Sequence, residues 1–143
     1  MQIYMAKEDE FHLCLGQIIK FCQCIEHDIK LIYAGMAKGD LVENYKMIQK
    51  ETLGSAVCLL QDLDRLRSSP FFSNRDYYML RNITKIRNYW AHQGYVDYLY
   101  EPPKSVNLKF SEQLQKLQED KERLKLLHEA TQKIRLQFFS KWN

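Results

Sequence analysis

A seven-residue apolar repeat runs through the first quarter of this 143-residue chain and constrains its fold more than any other feature. Phe11, Leu15, Ile18, Cys22, Ile25, Ile29, Ile32 and Met36 follow one another in steps of four and three. An α-helix gathers that spacing onto one stripe, whereas a strand would scatter it over both faces. Held for four heptads, the stripe predicts a long helix from about Glu8 to Met36, packed nearly antiparallel in a bundle. The same seam fits a dimer interface, and spacing alone leaves both uses open.

Composition supports a helical reading. Gly and Pro together number eight, against 45% hydrophobic and 27% charged residues. That balance excludes a collagen-like or disordered chain and disfavours a many-stranded β fold, which needs turn residues. No stretch approaches 18 uninterrupted apolar residues, so no membrane association is expected. Met1 to Glu10 carries acids and lacks an apolar run, so no secretory signal is expected. The expectation is one cytoplasmic domain over residues 1–143. Cys14, Cys22, Cys24 and Cys58 form no Cys-x-x-Cys pair and fall among apolar residues. They read as small core hydrophobes in a reducing compartment, with no metal and no cofactor expected.

Three further helices follow. Gly35, Gly39 and Asp40 stop the first helix and cap the next. A second seam runs through Tyr45, Thr52, Ala56, Leu59, Leu63 and Leu66, closed by Ser68-Ser69-Pro70. A third helix starts at Ser73 or Asn74, carries Met79, Ile83, Ile86 and Trp90 on its apolar arc, and breaks or bends at Gly94. Beyond Pro102-Pro103, Ser111 is expected to cap a charged fourth helix with Leu117, Leu124, Leu127, Thr131, Ile134 and Phe138 inward. The predicted fold is all-α, an up-and-down four-helix bundle with room for a short extra helix.

Charge is unevenly spread. Residues 1–70 hold 8 bases and 10 acids, whereas residues 104–143 hold 9 and 5. The basic second half permits phosphate contacts without requiring them.

The densest polar and aromatic run is Arg81 to Tyr95. On a helix, Arg81, Lys85, Asn88, His92 and Tyr95 fall within about 80° of one another, while Arg87 lies about 140° from His92, beside Ile83 and Trp90. An arginine on that border is costly unless an anion or an acid meets it. A permanent cation near a histidine, with Asn88 one turn before that histidine to orient it, forms a set suited to handling an anion.

Arg87-Asn88-Tyr89-Trp90-Ala91-His92 resembles the Arg-x(4–6)-His motif of HEPN domains (higher eukaryotes and prokaryotes nucleotide-binding), in which an Asn typically follows the Arg. Chain length, helix order and the motif's place late in the third helix agree with that family. The resemblance implies a small helical bundle that dimerises and acts as a metal-independent endoribonuclease, a toxin or phage-defence effector. A bare Arg-to-His spacing of this kind arises by chance roughly once in two such sequences. The chain carries its own example, Arg123 to His128, where Leu follows the Arg and the intervening residues read as helix packing.

The chemistry fits the motif. RNA is cut without metal when its 2′-hydroxyl attacks the adjacent phosphorus, one group removing that proton, another protonating the leaving 5′-oxygen, and a cation steadying the phosphorane. One chain offers one suitable histidine at the motif. A two-fold dimer sets two His92 across a cleft, with two Arg87 on the phosphate. RNA and a second copy are therefore the expected partners, with Lys85 and Arg81 in support and Glu26 positioning Arg87. In the HEPN toxins paired with a nucleotidyltransferase antitoxin, the motif extends to Arg-x4-His-x-Tyr and adenylylation of that tyrosine silences the nuclease. The resemblance thus makes Tyr95 a candidate modification site and such an antitoxin a candidate partner, although Gly94 sets this tyrosine one residue further along.

Two blander readings stand beside this. In one, the chain is a non-catalytic helical module that binds a nucleotide or a protein through Arg87. In the other it is a structural bundle in which Glu26 neutralises Arg87. His12 and His27 lean to solvent on the first helix and receive no role.

Overall fold

A computed structural model describes residues 2–102 and 106–139, with side chains from residue 7 onward. The described residues form helices and no strand: α1 (Gln2–Met36), α2 (Leu41–Gln49), α3 (Leu53–Asp64), α4 (Asn74–His92), the one-turn α5 (Val96–Leu99) and α6 (Val106–Phe138). None of these helices is long and apolar enough to cross a membrane.

The heptad of α1 becomes the centre of the core. Phe11, Ile18, Cys22, Ile25, Ile29 and Ile32 are each fully buried, while Leu15 and Met36 pack at the margin. Each such side chain is worth about 1.5–3 kcal/mol of transfer free energy, so this stripe alone dictates that α1 be surrounded. It packs against α2, α3, α4 and α6. Where α1 stops, Gly39 takes φ 104°, a conformation open chiefly to glycine. Asp40 then caps α2 through Glu43 N at 3.1 Å. Asn44 reaches back to donate to the carbonyls of Ala34, Ala37 and Lys38, which have no partner within α1.

Three expectations fail here. The second helix is broken at Lys50 to Thr52, because Thr52 acts as an N-cap, accepting from Ser55 N at 3.2 Å. The buried stripe of α3 is Leu53, Ala56, Val57, Leu60, Gln61 and Asp64, leaving Leu59 38% and Leu66 84% exposed. Ser111 does not cap the last helix, since α6 begins at Val106 and Ser111 lies inside it. The inward residues of α6 fall as expected, with Leu117, Leu124, Leu127, Thr131 and Ile134 buried. Cys14 and Cys22 are buried, but Cys58 is exposed; all four cysteines are free.

The joint between α3 and α4 is organised by one carboxylate. Asp64 is fully buried and accepts from Phe71 N (2.9 Å), Phe72 N (3.1 Å) and the Tyr77 hydroxyl (2.6 Å), satisfying loop amides that would otherwise be stranded. A capping box between Ser73 and Asp76 then starts α4 at Asn74. At the far end, Phe11 collects the rings of Trp90, Tyr95, Tyr98 and Phe110 within 5.3–6.2 Å. That cluster holds the last turn of α4 and all of α5 against α1 and α6.

Candidate functional site

Residues Thr84 to Tyr95 occupy the second half of α4 and the turn after it. The inward side carries Ile83, fully buried, and Trp90, 1% exposed, whose indole N–H donates to the buried Asp120 of α6 at 2.8 Å. Arg87 falls between those two positions on the same side of the helix, where an apolar residue would continue the stripe. It is half-buried, and among the described residues it makes no hydrogen bond and no ion pair. The Arg87–Glu26 pair expected of a purely structural arginine is not formed; Glu26 is half-buried but beyond ion-pair distance. Both charges are felt at the Cys22 thiol, as is Asp120. Burial pushes that thiol up to about 11, Arg87 draws it back, and Asp120 and Glu26 add to the rise. The guanidinium is thus a partly desolvated cation with carboxylates in its surroundings and none in contact.

The outward side carries Lys85, Asn88 and His92, all exposed. His92 is the last residue of α4, with Gln93 as its C-cap. Gly94 is required there: a Cβ would lie 2.9 Å from the Trp90 ring and 3.0 Å from its carbonyl oxygen. Asn88 makes no hydrogen bond to His92, so its expected orienting role is not realised, and its amide faces solvent one turn away. Arg81 belongs to a different arrangement, donating to the Gln61 side chain and tying α4 to α3. Helical geometry leaves about 140° between Arg87 and His92, and the α4 positions in that sector include Thr84, Asn88 and Ala91. None of these is buried, so Arg87 and His92 flank one open face.

Tyr95 closes this face at the top. It is half-buried against Phe11, and its hydroxyl lies 2.5 Å from Nδ1 of His12. Nε2 of the same imidazole lies 3.8 Å from Glu8 Oε1. Burial raises the Tyr95 pKa, and the charge of Glu8 raises it further, so the phenol keeps its proton. His12 and Glu8 are the residues that sequence reasoning missed: a contact across 83 residues leaves no periodic signal. Tyr98, by contrast, is fully buried and Tyr100 is 83% exposed, so the three tyrosines have separate environments.

The second Arg-to-His spacing behaves differently. Arg123 is 3.3 Å from Asp120 Oδ1, and His128 Nε2 is 3.7 Å from Asp28 Oδ2. Asp28 is buried, so desolvation raises its pKa; the Thr131 hydroxyl (2.9 Å), Arg135 (Nε at 2.7 Å) and His128 pull it back. Both ends of that spacing face carboxylates, Arg123 within α6 and His128 across to Asp28 of α1. At Arg87 and His92 neither end is neutralised.

Chemically, the face between Arg87 and His92 offers a fixed cation, an amide and an imidazole to solvent, a set able to hold an oxyanion and exchange a proton beside it. Among the described residues no group of three or more His, Cys, Asp or Glu is placed to hold a metal ion. Comparison with protein-family models, curated proteins and solved structures finds no match to this chain.

Proposed function

We propose that this chain is a HEPN-type, metal-independent endoribonuclease, a cytoplasmic toxin or phage-defence effector that works as a homodimer. In this reading the six helices are an elaboration of the HEPN four-helix bundle, with the second helix divided into α2 and α3 and α5 added after the motif. The observation that carries it is the state of Arg87. A cation at an inward position of a helix is costly, and Arg87 stands there without a partner among the described residues, while the alternative Arg-to-His spacing in the same chain is fully paired. An unneutralised arginine beside an exposed Asn88 and His92 is what a phosphodiester requires.

The 140° offset gives the second copy its role. Arg87 of one chain and His92 of the other converge when two such faces meet, so that each phosphate meets a guanidinium from one side and an imidazole from the other. Ala91, small and exposed within the sector, leaves room for a close approach. Lys85 supplies further charge to the RNA backbone, and Asn88 faces the substrate. Attack of the 2′-hydroxyl yields a 2′,3′-cyclic phosphate and a 5′-hydroxyl. The test is RNA cleavage by the purified protein in EDTA. His92→Ala should remove activity with the helical signal and melting midpoint retained, and degradation that survives His92→Ala would sink the proposal.

A second reading rests on a different feature. A groove of about 330 Å³ between α4 and α6 has an apolar floor of Met79, Ile86, Leu124 and Leu127 and is rimmed by Arg75, Arg123, Tyr78 and Asn82. A non-catalytic module would use that groove for a nucleotide or an acidic protein partner. Intact RNA, together with nucleotide binding abolished by Arg75→Ala, would favour it.

A further inference from the structure

We infer that Tyr95, His12 and Glu8 form a proton relay that supplies the second proton-transfer group of the reaction, so that His92 acts as the acid and the Tyr95–His12 pair as the base. The inference rests on the ribonuclease reading and gives to this relay the second proton transfer that a second copy of His92 is otherwise expected to supply. Two-step transfer at a phosphodiester needs a proton acceptor and a proton donor on opposite sides of one phosphorus. Tyr95 lies three residues past His92, in the turn after the Gln93 C-cap of α4. In the relay the two groups flank one phosphate.

The relay takes the Tyr95 hydroxyl as donor. With the Tyr95 hydroxyl donating across 2.5 Å to Nδ1, His12 carries its own proton on Nε2, the nitrogen that faces Glu8 at 3.8 Å. Carboxylate, imidazole and hydroxyl therefore stand in the order that activates a hydroxyl in hydrolytic triads, with a phenol in place of the serine. Here the phenol passes a proton and makes no bond to phosphorus. As the 2′-oxygen bonds to phosphorus, its proton moves to Tyr95 Oη, and the phenolic proton moves to His12 Nδ1. The bond from phosphorus to the 5′-oxygen breaks, and the leaving oxygen takes a proton from the His92 imidazolium. His12 ends protonated opposite Glu8, His92 ends neutral, and exchange with water resets both.

The surroundings leave this relay unshared. Among the described residues, the ionisable groups that contact His12 are Glu8 on its own helix and Tyr95 from the turn after α4; Asp97 on α5 is taken by the Tyr89 hydroxyl. His12 is half-exposed, 49% at its side chain, so small molecules reach it. Tyr95 keeps its place through the Phe11 ring at 5.3 Å, which a phenylalanine preserves.

The experiment is the pH–rate profile of RNA cleavage in EDTA for the full chain and for Tyr95→Phe, His12→Ala and His92→Ala. Tyr95→Phe should lower the rate about 10²-fold or more and change the shape of the pH–rate profile. His12→Ala should lose a similar factor and recover in added imidazole, whereas Tyr95→Phe should not recover. If the full chain cleaves RNA, His92→Ala is dead and Tyr95→Phe keeps the wild-type rate and profile, the relay is overturned and the ribonuclease reading survives. If the full chain leaves RNA intact, or His92→Ala cleaves normally, the ribonuclease reading fails and the relay falls with it.

Discussion

Replacing Arg87 with methionine should make the protein more stable and inactive. Arg87 sits inward between the buried Ile83 and Trp90, half-buried, with no hydrogen bond or ion pair among the described residues. Exchanging buried charges for apolar groups of similar shape is neutral to stabilising by about 1–4 kcal/mol. The guanidinium retains part of its hydration, which roughly halves that range to about 0.5–2 kcal/mol. Methionine keeps the three-carbon reach of the arginine stem, so no cavity term opposes the gain. In a chain of this size each kcal/mol moves the melting midpoint by roughly 3–5 °C, so a rise of roughly 2–10 °C is expected. Thermal and urea unfolding by circular dichroism measure it, and the double variant with Glu26→Gln isolates any coupling between the two residues. Arg87→Met that destabilises by more than about 1 kcal/mol, with coupling to Glu26 of similar size, would refute the reasoning and make Arg87 a structural cation.

Three other outcomes follow from particular contacts. Asp64→Ala should cost about 3–5 kcal/mol in urea unfolding, because it strands the amides of Phe71 and Phe72 and the Tyr77 hydroxyl in the interior. Gly16→Ala should raise stability by about 0.5–1 kcal/mol, as its Cβ meets open space, whereas Gly94→Ala should lower it by about 1–3 kcal/mol against Trp90. Cys22 gives a pH dependence: its folded thiol sits at about 11 against 9.0 unfolded. The unfolded chain releases that proton first, so stability falls as pH rises from about 9 to about 11, by roughly 2–3 kcal/mol. Stability curves of the wild type and Cys22→Ala should diverge across that window, and parallel curves would contradict the assignment.

How far the sequence carries can be judged residue by residue. The seam of α1 is legible because every fourth and third position repeats the same constraint, and burial follows it from Phe11 to Ile32. The division of α2 from α3 is not, because Thr52 suits an N-cap and a seam alike. Choosing the seam displaced the apolar stripe, so that Leu59 and Leu66 were expected inward in place of Leu53, Val57 and Leu60. Ser73 announces its N-cap locally, whereas Ser111, a residue of the same kind, lies inside a continuous helix. At the candidate site, Arg87 and His92 are legible from spacing, and so is the angle between them. The Arg81–Gln61 tie, the Asp28 cluster and the His12–Tyr95 contact join residues between 20 and 103 positions apart. Such pairings are set by how helices pack, and helical periodicity carries no information about them.

The composite site is tested most directly by mixing two inactive variants. Arg87→Ala and His92→Ala, each purified and each silent toward RNA in EDTA, are combined in equal amounts and allowed to exchange subunits. Half of the dimers are then mixed, and each mixed dimer rebuilds one of its two sites, with Arg87 from one chain and His92 from the other. Cleavage should return to about one quarter of the wild-type rate. A mixture that stays silent while wild-type protein cleaves the same RNA would contradict a site shared between two chains.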